Sequence, residues 1–273
     1  MTINCSGTLI ALSQPKIMGI LNLTPDSFFD GGQFNNPDRA LKQAEKMIEE
    51  GATFIDVGAA SSKPGTEIIS VDEEKKRLLP TFEALRKEFP EMLFSIDTYN
   101  SETAASCLER GAVIINDISA GILDSKMMAT VAQYKAPYIA MHMQGTPEIM
   151  QNQPKYKNIT KELRYYFSKK KQEALNAGIN DIIIDPGFGF GKTIDHNYEI
   201  LKNLHHFKTL ECPMIVGLSR KSMLYKTLKT TPENTLNGTS ILNTISLSKG
   251  AHILRVHDVK EAKECITLLS MLQ

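Results

Sequence analysis

The sequence predicts a (β/α)8 barrel of the α/β class, and three observations carry that expectation. Apolar, β-branched runs alternate with amphipathic stretches at a spacing of about 30 residues, the length of a βα unit. Eight such runs can be counted along the chain. A length of 273 residues also suits one barrel, at about 250 residues, better than two ordinary domains. A doubly wound open sheet is the alternative, but it rarely needs eight evenly spaced units.

Taken in order, residues 1–15 form an N-terminal cap, with a hairpin over 2–14 that plugs the barrel bottom. Strands are expected at 16–24, 53–59, 93–98, 113–119, 137–143, 181–186, 214–220 and 253–258. Helical patterns lie between them, for example at 37–50, 71–89, 101–110 and 160–177, and Gly51, Gly111 and Gly178 stand where helices should stop. No linker or low-complexity segment divides the chain, so 1–273 reads as a single domain.

With 42% apolar and 23% charged residues the chain can bury a large core, which excludes disorder and small disulfide scaffolds. Thirty-one basic residues balance thirty-one acidic ones. That balance speaks against nucleic acid as a partner, and any bound anion must meet a local cluster of cations. No apolar stretch approaches the roughly 20 residues of a membrane span, and the N-terminus lacks the basic flank of a signal peptide. Cys5, Cys107, Cys212 and Cys265 are scattered without a CxxC pair, as expected for reduced structural thiols in a cytoplasmic protein.

Polar residues mark the strand ends: Asn22, Asp56, Asp97, Asn116 with Asp117, His142, Asp185, Ser219-Arg220-Lys221, and Arg255 with His257. Any one alone reads as a capped strand end. In a barrel, however, all eight ends gather at one mouth, where such enzymes keep their chemistry. The set is bipolar. Asp56, Asp97, Asn116 and Asp185 can pair with the N–H edge of a flat heterocycle. Lys221, Arg255, His257 and Asn22 suit phosphate oxygens, and Arg255 and His257, two apart on a strand, point the same way.

Two loops support this reading. Residues 23–32, long for a barrel, mix hydroxyls, aromatics and a glycine pair, as a mobile lid would. Residues 59–65 are small and polar with one cation. The segment GFGFGKT (187–193) resembles a phosphate-binding loop, but Pro186 stands where the Walker pattern needs glycine. It reads instead as a glycine-rich βα loop that lets Phe188 and Phe190 flank a pocket. There is no HExxH and no Cys/His cluster, so any ion would be a hard Mg²⁺ held by Asn22, phosphate oxygens and water.

From about Lys16 onward the chain resembles the dihydropteroate synthases of the pterin-binding barrel family. The resemblance rests on MGILNLTPDSFFDGG (18–32), SIDT (95–98), IND (115–117), DPGFGFGKT (185–193), SRKS (219–222) and RVHD (255–258). It implies joining 6-hydroxymethyl-7,8-dihydropterin pyrophosphate to 4-aminobenzoate in folate biosynthesis, with Mg²⁺ as cofactor and a homodimer as the assembly. It implies that Asp97, Asn116, Asp185 and Lys221 hold the pterin, with Asp56 among the substrate contacts. Asn22, Arg255 and His257 fall on the pyrophosphate, with Asn22 the ligand to Mg²⁺. Phe28, Lys63, Pro64, Phe190 and Ser222 fall around the aminobenzoate, and Thr24, Asp26 and Ser62 complete the binding set. Lys221, Asp97, Arg255 and His257 are the catalytic candidates. The second loop departs from the family, reading Ala60-Ser61-Ser62-Lys63-Pro64-Gly65 where Glu-Ser-Thr-Arg-Pro-Gly is usual.

Three rival readings fit less well. A methyltetrahydrofolate-dependent methyltransferase gives no reason for the first loop or for Arg255 and His257. A non-catalytic pterin-binding protein needs no anion pole. A Schiff-base lyase using Lys221 lacks an evident carbonyl-handling acid.

Overall fold

The structure, a computed structural model, describes residues 1–23, 37–60, 69–145 and 154–272. Two short strands open the chain, β1 (Thr2–Cys5) and β2 (Thr8–Ala11), joined through Ser6 and Gly7 at φ of 50° and 94°. Two successive left-handed residues give a tight turn whose twist matches paired strands. The antiparallel register sets Thr2 opposite Ala11 and Cys5 opposite Thr8.

Eight parallel strands follow: β3 (Lys16–Asn22), β4 (Phe54–Gly58), β5 (Leu93–Asp97), β6 (Ile114–Asp117), β7 (Tyr138–Met141), β8 (Ile182–Asp185), β9 (Ile215–Val216) and β10 (Ile253–Val256). Their order is β8-β7-β6-β5-β4-β3-β10-β9. Closure between β8 and β9 comes from a parallel bridge of Ile184 with Met214 and the Ile184 N–H donated to the Pro213 carbonyl at 2.9 Å. The predicted barrel and its eight strands are therefore present. The seventh strand is much shorter than the expected 214–220, because the chain leaves the ladder after Val216. Arg220 then takes a left-handed φ of 58°, and this bend separates the strand from the Lys221-Ser222 segment.

Helices form the outer layer: α1 (Pro37–Glu49), α2 (Val71–Glu88), α3 (Ser101–Leu108), α4 (Met127–Gln133), α5 (Ile159–Ala177), α6 (Ile194–Lys202), α7 (Ser222–Thr227), α8 (Leu236–Ser248) and α9 (Val259–Ser270). Short 3-10 turns at Leu204–Leu210 and Pro232–Thr235 lengthen the last connections, so the β9–β10 crossover carries two α-helices rather than the expected one. Starts and stops follow local chemistry. Ser70 and Asn158 accept the Glu73 and Lys161 N–H groups as N-caps. The chain turns out of α1 and α5 at Gly51 and Gly178, both at φ of 96°.

The strands are apolar on both faces, as a sheet covered by helices requires. Inside the lower barrel, Met18, Phe54, Ile114, Ile139, Ile183, Ile215 and Ile253 pack with Ile3, Cys5 and Leu12 from the N-terminal segment. The predicted hairpin plug is thus seated, and the Asn4 N–H donated to Asp181 Oδ2 at 2.9 Å ties it to the strand ends. All four cysteines are buried free thiols, and burial pushes Cys5 and Cys107 up to about 12. Among the described residues no helix is long and apolar enough to cross a membrane.

Candidate active site

Because side chains alternate along a strand, the residue two beyond each apolar plug position faces the same interior, one level higher. Phe54 is thus followed by Asp56, Ile114 by Asn116, Ile183 by Asp185 and Ile253 by Arg255. A polar layer is threaded through the barrel directly above an apolar one. Arg255 spans it. Its Nε donates to Asp56 Oδ2 and its Nη2 to Asp97 Oδ2, both at 2.7 Å, while Asn116 Nδ2 donates to Asp56 Oδ2 at 2.8 Å. The second oxygen of Asp56 is buried with no partner among the described residues.

The two poles expected from sequence therefore interlock rather than stand apart, with Arg255 holding the acidic set together in the protein without substrate. The electrostatics follow from burial. Asp97 is raised to about 7, by desolvation first and by Asp56, Glu74 and Asp117 further, with Arg255 pulling it back. Desolvation lowers Arg255, but Asp56 and Asp97 outweigh it and leave the guanidinium firmly charged.

Asp185 is buried, accepts the Gly187 N–H at 2.7 Å, and is raised by desolvation against the pull of Lys221. Lys221 donates to the Phe188 carbonyl and lies over the Phe190 ring, 4.9 Å from its centroid. Burial brings Lys221 down to about 8, opposed mainly by Asp185. Ser222 is the first residue of α7, as expected. His257 sits with Nδ1 3.1 Å from Ser219 Oγ, and burial, with Arg220 and Arg255 nearby, pushes it down to about 4. It is neutral at pH 7. Asn22 ends β3 half-buried, in register with Gly58.

Three sequence expectations need correction. His142 is not at the mouth; its ring packs against Tyr166 and Phe167, and Lys192 Nζ reaches its Nδ1 at 3.0 Å. Asp117 points out of the barrel, because position 117 has the opposite parity to Asn116. It accepts from Tyr138 Oη at 2.7 Å and from the Ser119 and Gly121 N–H groups, an anchor for the β6–α4 turn. Phe188 does not flank a pocket either. It is fully buried in the main hydrophobic core, and only Phe190 faces the mouth. Thr24, Asp26, Phe28, Ser62, Lys63 and Pro64 lie outside the described residues.

An apolar wall of Tyr99, Ile118, Met141 and Met143, with Phe190 and Leu123 against it, is not among the sequence expectations. Met141 and Met143 are two apart, and that period is the signal that could have found them. The wall gives a flat ring something to lie against while the polar layer reads its edge.

The match to known proteins agrees with this geometry. A family model described as "Pterin binding enzyme" matches residues 18–257. The dihydropteroate synthase of Escherichia coli K12 is 42% identical over 271 residues, covering 98% of this chain and 95% of the relative. Among solved structures, the Yersinia pestis dihydropteroate synthase with a sulfonamide drug complex superposes with a TM-score of 0.94 at 39% identity, covering 100% of this chain and 99% of the other. The Xanthomonas albilineans dihydropteroate synthase with 4-aminobenzoic acid gives 0.92 at 33% identity, covering 100% and 98%. Fold, barrel mouth and full-length similarity agree, and the chain belongs to the dihydropteroate synthases of the pterin binding enzyme family.

Proposed function

We propose that the chain condenses 6-hydroxymethyl-7,8-dihydropterin pyrophosphate with 4-aminobenzoate, giving 7,8-dihydropteroate and pyrophosphate in folate biosynthesis. One observation carries the reading. A polar layer of Asp56, Asp97, Asn116 and Asp185 faces an apolar wall, with Lys221 poised between Asp185 and the Phe190 ring. Carboxylates in that setting pair with the guanidine-like edge of a pterin, and the Lys221 ammonium suits its carbonyl and neighbouring ring nitrogen. The 4-aminobenzoic acid held by the Xanthomonas relative supports the second substrate.

In this mechanism the bond from the methylene carbon to pyrophosphate breaks and leaves a cation spread into the pterin ring. Asp97 and Asp185 beside the ring tolerate that positive charge, while Arg255, His257 and Asn22 face the departing anion. The arylamine nitrogen attacks the methylene carbon and loses its proton to solvent. No protein nucleophile is required.

Mg²⁺ fits the donor set in a limited way. Among the described residues no cluster of three His, Cys, Asp or Glu could hold a metal, and Asn22 at the end of β3 would contribute an amide oxygen. That suits a hard ion taking most of its ligands from pyrophosphate and water. When bound, it supplies charge neutralisation of the leaving group.

A homodimer is supported by an apolar face formed by α8, α9 and the residues just after α9, where Ile241, Leu268 and Leu272 are exposed around a groove of about 520 Å³. Leu268→Asp should convert a dimer to a monomer in light scattering. The reaction itself is tested by pyrophosphate release from the pterin substrate with and without 4-aminobenzoate. Release that depends on the arylamine and yields dihydropteroate supports the proposal, and no release with both substrates present overturns it.

A further inference from the structure

Lys192 is buried, yet among the described residues no carboxylate lies within hydrogen-bonding distance of it. Its Nζ is instead ringed by four acceptors: the Gly187 carbonyl at 2.8 Å, the Phe190 carbonyl at 2.9 Å, the His142 carbonyl at 3.1 Å and His142 Nδ1 at 3.0 Å. Oxygen cages of this kind ordinarily enclose a small cation. A neutral amine offers only two hydrogens to four acceptors, whereas an ammonium offers three. An ammonium can only donate, so His142 Nδ1 must accept, which assigns the ring as the neutral Nε2–H tautomer. Burial pulls the Lys192 pKa well down and Asp185 pushes it back, and the acceptor cage favours the charged form.

Two of the four acceptors come from the glycine-rich loop and two from His142, just past β7. Gly187, Gly189 and Gly191 all have positive φ, at 67°, 86° and 62°. A Cβ on Gly187 would meet the His142 carbonyl oxygen at 2.1 Å, and one on Gly191 the Gln144 carbonyl oxygen at 2.5 Å. The loop therefore lies backbone against backbone on the segment after β7. Glycine permits this approach but supplies nothing to hold it, since carbonyl oxygens repel one another. Asp185, Asn197 and Tyr156 hold the loop at its Gly187 N–H, Gly189 N–H and Gly191 carbonyl, and the Lys192 ammonium bridges its Gly187 and Phe190 carbonyls to His142. The same loop sets Lys221, through the Phe188 carbonyl it donates to, the Phe190 ring beneath it and the Gly189 backbone against its stem.

We propose that Lys192 is a tethered internal cation, a positioning residue whose ammonium gathers the carbonyls of the glycine-rich loop and thereby fixes the resting place of Lys221. This rests on the reading above that Lys221 meets the pterin. It gives the lysine of GFGFGKT a role other than phosphate binding, since its ammonium is turned inward and its donors are spent on the loop and on His142.

Two substitutions test it. Lys192→Met keeps the length of the stem and removes the donors, while Lys192→Ala opens a hole the size of a small alkylammonium. Both should weaken calorimetric binding of 6-hydroxymethyl-7,8-dihydropterin pyrophosphate about tenfold or more, as loss of charge-assisted hydrogen bonds does. Loss of the Phe188 carbonyl lowers the Lys221 pKa and loss of the nearby Lys192 charge raises it, so the alkaline limb of kcat/KM should move from its wild-type position. Ethylammonium chloride should restore Lys192→Ala but not Lys192→Met, and tetraethylammonium at equal ionic strength should restore neither. Wild-type affinity in Lys192→Met, or a folded Lys192→Ala that ethylammonium leaves unrestored, overturns the proposal.

If neither variant folds, nitrogen-15 spectra of the wild-type protein decide it. A protonated, slowly exchanging lysine ammonium coupled to the Gly187 and Phe190 carbonyl carbons is the expected result, and a neutral amine is the contrary one. Failure of the wild-type protein to release pyrophosphate would remove the enzymatic reading but leave this spectrum unchanged.

Discussion

The bottom and the mouth of the barrel are built on the same strands, one pleat apart, and they obey opposite rules. At the bottom, Phe54, Ile114, Ile183 and Ile253 meet the hairpin residues Ile3 and Cys5 in an apolar plug. Two residues further along the same strands stand Asp56, Asn116, Asp185 and Arg255, buried or half-buried and charged or polar. The lower layer gains free energy by leaving water. The upper layer loses free energy by the same act, offset only in part by the Arg255 pairs, and one Asp56 oxygen has no partner among the described residues. Stability is stored at one end, and groups ready for a ligand are kept at the other.

Arg255→Ala strikes this arrangement hardest. Removing the shared cation leaves two carboxylates facing each other in the interior, which should cost about 3–5 kcal/mol in urea unfolding and abolish pyrophosphate release. Unchanged stability would mean that the mouth does not depend on its own ion pairs.

Phe54→Ala, one pleat below, should cost about 3–5 kcal/mol by cavity formation while leaving KM for both substrates within twofold (roughly the scatter of an uncoupled site). A large KM change would show that the two layers are coupled.

Asp185→Asn should do the reverse. It should reduce kcat/KM for the pterin substrate by about 2–4 kcal/mol of transition-state stabilisation, because a buried donor edge loses its charged acceptor. Unfolding should be little affected, since burial already disfavours the charge. Calorimetry with unaltered pterin affinity would remove Asp185 from the site.

A gentler probe is pH. Asp97, raised to about 7, is charged above that value, and Lys221, lowered to about 8, is charged below that value. If the pterin needs both charges, kcat/KM should rise through pH 7, fall above pH 8 and trace a narrow bell. Asp97→Asn should flatten the acid limb at reduced rate. A profile level from pH 6 to 9 (roughly one unit beyond each limb) would detach these groups from the chemistry.

The smallest effect belongs to the hairpin turn. Gly7 sits at φ of 94° with open space where a Cβ would lie. Gly7→Ala should therefore cost about 1 kcal/mol of backbone strain and nothing in catalysis, as melting and activity measured together would show.

Much of this molecule is legible without coordinates. The eight strands are visible because fully buried parallel strands read as unbroken apolar runs, and the polar residues ending them project to one mouth. Parity separates success from failure. Asn116 and Asp185 are interior, whereas Asp117 and His142, equally polar and at strand ends, turn outward into packing and hydrogen bonds. A one-residue uncertainty in register reverses the face of a side chain, and strand ends are where register is hardest to read. The embrace of Asp56 and Asp97 by Arg255 joins positions far apart in the chain, and only closure of the sheet brings them together. Phe188 and Phe190 look equivalent in sequence, but the left-handed glycines between and around them send one ring to the core and the other to the mouth.

The hairpin also imposes an order of events on synthesis. Ile3 and Cys5 leave the ribosome before any barrel strand, yet the chamber they fill has no final wall until β10 pairs beside β3. While β3 to β9 are made, the nascent chain carries a stopper for a vessel still missing a stave. Non-local closures of this kind are slow compared with helix formation. The amide protons of Ile3, Asn4 and Cys5 should therefore gain protection from exchange only in the slowest refolding phase, together with those of β10. Early protection of the hairpin alone would show that it holds its shape before it has anything to seal.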